Sequence, residues 1–108
     1  MAAASGAALR FTAASIPLLP GALQYAARGI ITGGAARNRK HLADKVTIAE
    51  AVSEEMGHIL FDPQTSGGLL LAVGPDKASE VEAGFAAAEL PVWRVGEVVK
   101  GQGVQVAP

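Results

Sequence analysis

Five apolar residues in a row, Leu69-Leu70-Leu71-Ala72-Val73, are fenced by Gly67-Gly68 before them and Gly74-Pro75 after them. A run of that length with no polar residue inside it predicts a short strand buried on both faces. The stretch that feeds it, Leu60-Phe61-Asp62-Pro63-Gln64-Thr65-Ser66-Gly67-Gly68, reads as a polar turn. An aspartate before proline is pushed out of the helical region. Gln64, Thr65 and Ser66 supply side-chain donors and acceptors, and Gly67-Gly68 lets the backbone pass where a Cβ would clash. A small polar turn mounted on a covered strand has fixed geometry, and loops held in that way often carry function.

The chain has 108 residues, enough for one small domain with a single core. Half of them are apolar, yet many of these are alanine and only 5% of the chain is aromatic. A thin core is expected, anchored by Phe11, Tyr25, Phe61, Phe85 and Trp93. The formal net charge of −1 offers no global attraction to nucleic acid or to an acidic membrane. There is no cysteine, which excludes disulfides, thiolate metal sites and cysteine nucleophiles from these residues. No apolar run approaches the roughly 20 residues of a spanning helix. The first residues carry neither a basic region nor a long hydrophobic segment of signal-peptide type. A soluble, cytoplasmic protein is expected.

Taken in order, Met1 to Ala8 is small and featureless, and Ala8-Leu9-Arg10-Phe11-Thr12 alternates weakly, as an edge strand would. Pro17 and Pro20 frame a helix over about 21–28, with Leu19, Ala22, Leu23 and Ala26 on one face. Gly29 is the expected stop. A long loop is expected over 29–45. Thr47-Ile48-Ala49-Glu50 has capping-box spacing, so a second helix is expected to start there, bury Ile48, Ala51 and Val52, and end near Gly57. Asp76 is placed to cap a third helix, with Ala78, Val81, Phe85 and Ala88 inward and Lys77, Glu80 and Glu82 in water. Val92 to Val99 alternates like a strand, and Val104-Gln105-Val106 is expected to pair with it across the 100–103 turn. No internal repeat or domain boundary is visible, so 1–108 reads as a single unit.

Asp62-Pro63-Gln64-Thr65-Ser66-Gly67-Gly68-Leu69 resembles the signature near the C-terminal end of the selenide, water dikinase (selenophosphate synthetase) family. A second match runs from Pro17-Leu18-Leu19-Pro20-Gly21-Ala22-Leu23 through Gly29-Ile30-Ile31-Thr32-Gly33-Gly34-Ala35-Ala36-Arg37-Asn38, and Gly96-Glu97-Val98 resembles the family's closing strand. The resemblance implies an α+β fold, a layered α/β sandwich like the C-terminal domain of aminoimidazole ribonucleotide synthetase. It also implies that this segment begins partway into that domain, downstream of a glycine-rich segment bearing a metal-binding aspartate.

Around the second match, Arg28, Arg37, Arg39, Lys40 and Lys45 gather five of the nine basic residues against one acid, Asp44. Exposed amides at Gly33-Gly34 with a nearby guanidinium would suit a phosphate or sulfate. The alternative is a solvated loop that balances an acidic remainder. The pattern is neither a Walker loop nor a dinucleotide fingerprint. Asn38 resembles the family's loop asparagine, whereas Ala35-Ala36 stand where the family commonly has a threonine and a basic residue. Gly33, Gly34, Arg37 and Asn38 are therefore the candidate anion-binding residues, and Asp62, Gln64, Thr65, Ser66, Gly67 and Gly68 form the signature turn.

The turn has its own structural alternative, in which Asp62 and Thr65 satisfy turn amides and Gly67-Gly68 permits close packing. Ser66 has no base at a recognisable spacing, so triad chemistry is unsupported. Asp62 by itself does not hold magnesium tightly, although it could be one ligand of several. His41 and His58 lack the further ligands a metal site needs, and His58 fits a helix end. Glu54-Glu55 and Glu80 to Glu82 read as solvated faces.

The activity that the resemblance implies is ATP-dependent phosphorylation of selenide to selenophosphate, with AMP and phosphate as the other products and magnesium bridging the phosphates. In the family the catalytic groups and most magnesium carboxylates belong to the N-terminal half, so no catalytic or metal residue is assigned here. The missing N-terminal half is the implied partner, and self-association is expected if a sheet edge is left uncovered. No nucleic-acid or membrane partner is expected. An anion- or nucleotide-binding or oligomerisation module is the alternative. A purine-pathway ligase is disfavoured by the match at 62–68.

Overall fold

The computed structural model describes residues 1–64 and 66–108. Their elements are α1 (Ala2–Ser5), β1 (Ala8–Thr12), a 3-10 turn (Ala13–Ser15), α2 (Ala22–Ala27), α3 (Gly33–His41), β2 (Val46–Ile48), α4 (Glu54–Leu60), α5 (Ala78–Ala87), β3 (Gly96–Val99) and β4 (Gly103–Ala107). The fold is α+β. The strands form one mixed sheet in the order β2-β4-β1-β3, parallel across β2-β4 and β4-β1 and antiparallel across β1-β3.

The register sorts side chains by face. Leu9 pairs with Val104 and Val104 with Val46, while Phe11 pairs with Val106 and Val106 with Ile48. These rows make one apolar face, because residues two apart along a strand share a side. Glu97, Arg10, Gln105 and Thr47 form the polar row opposite. Arg10 donates across it to Glu97 at 3.1 Å and to Gln105 at 3.4 Å. α4 packs mainly against α2 and α3 and reaches this face at Gly57, where a Cβ would touch Ile48 Cδ1 at 3.7 Å. Buried side chains are mostly small: Ala2, Ala8, Ala26 and Ala35, with Met56, Phe61 and Val106. The thin core expected from composition is found, but Phe61 is its one buried aromatic. Phe11 and Phe85 are half-buried, and Tyr25 and Trp93 are exposed.

Several expectations are corrected. The run 69–73 belongs to no strand, and Leu69, Leu70, Leu71 and Val73 are exposed rather than covered. β1 lies inside the sheet, between β4 and β3, not at its edge. For the same reason β3 and β4 are not a hairpin. Leu9 and Phe11 present the apolar partners that Val104 and Val106 need, so β1 inserts between them. β3 is also shorter than the alternation over 92–99 implies.

The helix before Gly29 forms as expected and Gly29 takes φ 75°, but Leu19 and Leu23 on its intended inner face are exposed, leaving Ala26 as its buried contact. Thr47 does not start a helix. It pairs with Gln105 in β2, and α4 starts six residues later, where the Ser53 hydroxyl accepts the Met56 amide at 3.3 Å. His58 falls in the last turn of α4, as expected of a helix-end residue. α5 starts after Lys77 with no side-chain cap, so Asp76 does not cap it, and Ala88 is exposed just past its end. Glu82 is half-buried and bound by Arg94 at 2.9 Å instead of fully wet.

Candidate functional site

The expected loop over 29–45 contains α3, and that helix brings the two matched segments together. Two glycines at its start are poor helix formers, each costing about 1 kcal/mol relative to alanine. Three features offset that cost. Thr32 caps the first turn, its hydroxyl accepting the Ala35 amide at 3.1 Å. Arg39, Lys40 and His41 occupy the last turn, where the helix dipole favours cations. Ala35 is buried at 2% exposure, which anchors the helix to the rest of the molecule.

The segment that leaves α4 packs against the opening of α3. The Thr32 hydroxyl donates to the Asp62 carboxylate at 2.7 Å. Six residues on, the Asn38 side-chain amide donates to the Phe61 carbonyl at 3.0 Å. Between these two bonds a Cβ at Gly34 would collide with Pro63 Cγ and lie 3.1 Å from its Cδ. Gly34 is therefore needed for close approach and not for an unusual φ. Phe61, buried beneath, fixes the turn from the core side. Among the described residues the Asp62 carboxylate bonds to a helix cap on another element, Thr32, rather than to amides of its own turn.

The paired glycines of the signature behave differently from the expectation. Neither Gly67 nor Gly68 has positive φ, a Cβ at Gly68 would meet nothing within 4 Å, and one at Gly67 would lie an ordinary 3.8 Å from the Gln64 carbonyl. The close approach expected at 67–68 occurs at Gly34 instead. Gln64 and Ser66 are exposed and make no side-chain hydrogen bond among the described residues. Thr65 lies outside the described residues. Of the ten candidate positions, the structure joins Gly34, Asn38 and Asp62. Gly33 and Arg37 sit on the same helix end, where Arg37 Nη1 is 3.5 Å from the Cβ position of Gly33. Sequence reasoning missed Thr32 and Pro63 as members of this joint. The available signal was a threonine directly before a segment with a basic end, the pattern of a capped helix.

The chemistry of the joint follows from these bonds. The positive end of α3 faces the chain's own carboxylate, Asp62, and one donor of Asn38 is committed to Phe61. Among the described residues no three His, Asp or Glu side chains converge, so a magnesium ion finds no ligand set in them. Two open grooves lie away from the joint. One of about 320 Å³ is lined by Leu23, Gln24, Ala27, Ser53 and Glu55, and one of about 310 Å³ includes Arg10, Arg94 and Glu97. No helix among the described residues is long and apolar enough to cross a membrane.

Residues 1–107 match the family described as AIR synthase related protein, C-terminal domain. The chain is also similar to curated selenide, water dikinases. It is 47% identical to that of Agathobacter rectalis over 95 residues, 85% of this chain and 27% of the relative. It is 40% identical to that of Nitratidesulfovibrio vulgaris strain Miyazaki F over 100 residues, 93% of this chain and 29% of the relative. With the Pelobacter propionicus protein it shares 44% identity over 97 residues, 89% of this chain and 28% of the relative. The chain thus spans well under a third of the length of these relatives.

Proposed function

The chain belongs to the AIR synthase related protein C-terminal domain family, and from that premise we propose that it serves as the C-terminal domain of a selenide, water dikinase. The reaction of the whole protein would take ATP, selenide and water to selenophosphate, AMP and phosphate. Similarity to selenide, water dikinases over most of this chain carries the reading. The joint between α3 and the 61–63 turn supports it, because both segments that resemble the dikinase family meet there.

The role assigned to these residues is architectural. Thr32, Asn38 and Asp62 fix the angle between α3 and the turn that carries Gln64 and Ser66 toward the surface. Phosphoryl transfer depends on positioning and on charge neutralisation. The groups that bind ATP and magnesium, and those that attack, would come from the remainder of the protein, the partner of this domain. The isolated chain is inactive on this reading, and its place is the cytoplasm.

The direct experiment replaces the matching segment of the Agathobacter rectalis relative with residues 1–107 and measures AMP formation from ATP, magnesium and selenide. Selenide-dependent AMP from the chimera, with none from the isolated chain, is the expected result. A folded chimera without turnover, or robust turnover by the isolated chain, would reject the proposal.

A second reading, an anion- or nucleotide-binding module, draws on the Arg37 guanidinium folded toward the first turn of α3. Asp62 at the same helix end opposes it. Titrating ATP while following the amides of Gly33, Gly34, Gly67 and Gly68 separates the two, since saturable shifts occur only for a binding module.

A further inference from the structure

The motif Gly96-Glu97-Val98 takes no part in the joint between α3 and the 61–63 turn, yet it opens β3 beside the second groove. That groove, of about 310 Å³, is lined by Arg10, Thr12, Ser15, Arg94, Gly96 and Glu97. Arg10, Thr12 and Glu97 share the polar side of the sheet, since Thr12 lies two residues beyond Arg10 and Glu97 pairs with Arg10. The backbone fixes the walls. A Cβ at Gly96 would collide with the Arg10 carbonyl, so only glycine lets β3 come this close to β1. The Thr12 amide donates to the Val95 carbonyl at 3.0 Å, which holds the segment bearing Arg94 against the end of β1.

Both guanidinium groups already have partners that fix them. Arg10 donates through Nε to Gln105 at 3.4 Å and through Nη1 to Glu97 at 3.1 Å. Arg94 donates through Nε and Nη2 to Glu82 Oε1 at 3.1 and 2.9 Å. Among the described residues, Arg10 Nη2 and Arg94 Nη1 have no acceptor, and the Thr12 and Ser15 hydroxyls enter no side-chain hydrogen bond. We propose that this groove binds a phosphate group, with Arg10 and Arg94 as its cations and Thr12 and Ser15 as hydroxyl donors.

The donor set selects the ligand. Four side chains from separate points of the groove need more acceptor oxygens than the two of a carboxylate, and guanidinium forks match phosphate geometry. The lining carries two cations against one acid, Glu97, so an anion is favoured. Because Glu97, Gln105 and Glu82 already hold the arginines in place, little side-chain freedom is lost on binding. Both arginines are exposed to solvent and Glu97 opposes the ligand, so the affinity is low. The start of α3 is the weaker candidate for the same chemistry, since Asp62 already faces it. None of this depends on the dikinase reading.

Nuclear magnetic resonance of the 108-residue chain at constant ionic strength tests the proposal, with inorganic phosphate and glycerol 3-phosphate titrated separately. The expected result is a saturable shift of the Arg10 and Arg94 Nε–H signals with a Kd of about 1–10 mM. Saturation by either probe supports the site, and their order of affinity tells a free ion from a monoester. Arg94→Gln is expected to weaken binding at least about tenfold, and Thr12→Val, which leaves both ion pairs in place, about threefold. Glu97→Gln removes the opposing carboxylate and is expected to tighten binding about fivefold, the effect of one unit charge about 4 Å away in water. A gain of that kind does not arise from unfolding. Shifts that stay linear in phosphate, binding indifferent to Arg94→Gln, or weaker binding by Glu97→Gln would each overturn the proposal. So would tighter binding of malonate than of phosphate, or shifts centred on Gly33 and Gly34.

Discussion

The Thr32 hydroxyl donates to the Asp62 carboxylate at 2.7 Å while accepting the Ala35 amide at 3.1 Å. One side chain thus closes the first turn of α3 and ties it to the segment leaving α4, 30 residues further along the chain. The same contact sets a carboxylate at the positive end of α3, opposite the cations of its last turn. Local capping and tertiary docking are therefore coupled, and a change at Thr32 disturbs both.

Thr32→Val preserves the shape of the side chain and removes both bonds. We expect a loss of about 1–2 kcal/mol, typical of a missing N-cap with one further hydrogen bond. Thr32→Ser should recover most of it. Asp62→Asn should cost less, because the bond is exposed to solvent. Urea unfolding of the three variants checks the order. A Thr32→Val protein as stable as the parent would show that the cap contributes nothing.

Gly33 and Gly34 are neighbours in sequence with opposite expectations. A Cβ at Gly34 collides with the Pro63 ring, which cannot rotate away, so the turn has to move. Gly34→Ala should lose about 1–2 kcal/mol net, overpacking outweighing the gain in helix propensity. A Cβ at Gly33 meets only Arg37 Nη1 at an ordinary 3.5 Å. Gly33→Ala should therefore raise stability by about 0.5 kcal/mol. Thermal melts of the pair decide it, and equal effects of the same sign would refute the close approach at Gly34.

Asn38 bonds a main-chain carbonyl from a half-buried position. Asn38→Ala leaves the Phe61 carbonyl without that donor and should cost about 1–2 kcal/mol. Asn38→Asp should be worse, since it sets an acceptor against an acceptor. The double variant Asn38→Ala with Thr32→Val should fall short of the sum of the single losses, because both bonds hold the same turn. Strict additivity in urea unfolding would mean that the two bonds act separately.

The sequence makes the local signals of this fold legible and its long-range pairings obscure. Gly29 as a stop, a helix just before it, strands at 8–12 and around 104–106, and the resemblance at 62–68 are all visible in short windows. The insertion of β1 between β3 and β4 is not, because it joins residues about ninety positions apart whose match appears only in register. The helix α3 is hidden by two glycines and a run of charge; the Thr32 cap and the basic last turn that offset them are local, but the ties to Asp62 and Phe61 that dock the helix lie elsewhere in the chain. The false capping box at Thr47 shows the reverse error. The spacing was right for a helix, but Val46 and Ile48 on either side had a sheet to join. At the site, Asp62 and Asn38 carry a signal as single residues, whereas Pro63 matters only through its fit to Gly34.

Glu55 in the first turn of α4 makes stability depend on acid pH in a direction that can be worked out. Its own backbone N–H, then the Ser53 hydroxyl, hold its carboxyl below the ordinary glutamate value, with a weaker attraction from His58 and partial desolvation opposing them. The folded chain therefore keeps this group ionised at a pH where the unfolded chain protonates it. The contribution is complete above the ordinary value of 4.5 and is lost as pH falls from there through the lowered folded value. Glu55→Gln removes the titration while keeping a side chain able to bond at the helix start. The difference in urea midpoint between parent and Glu55→Gln should be constant near neutrality and narrow as pH drops below 4.5. Ser53→Ala should lower stability at every pH by about 1 kcal/mol through the lost cap, and it should also make the acid limb shallower. A parent–Gln difference that stays flat through the acid range would mean that the contacts around Glu55 do not favour its ionised form over the unfolded chain.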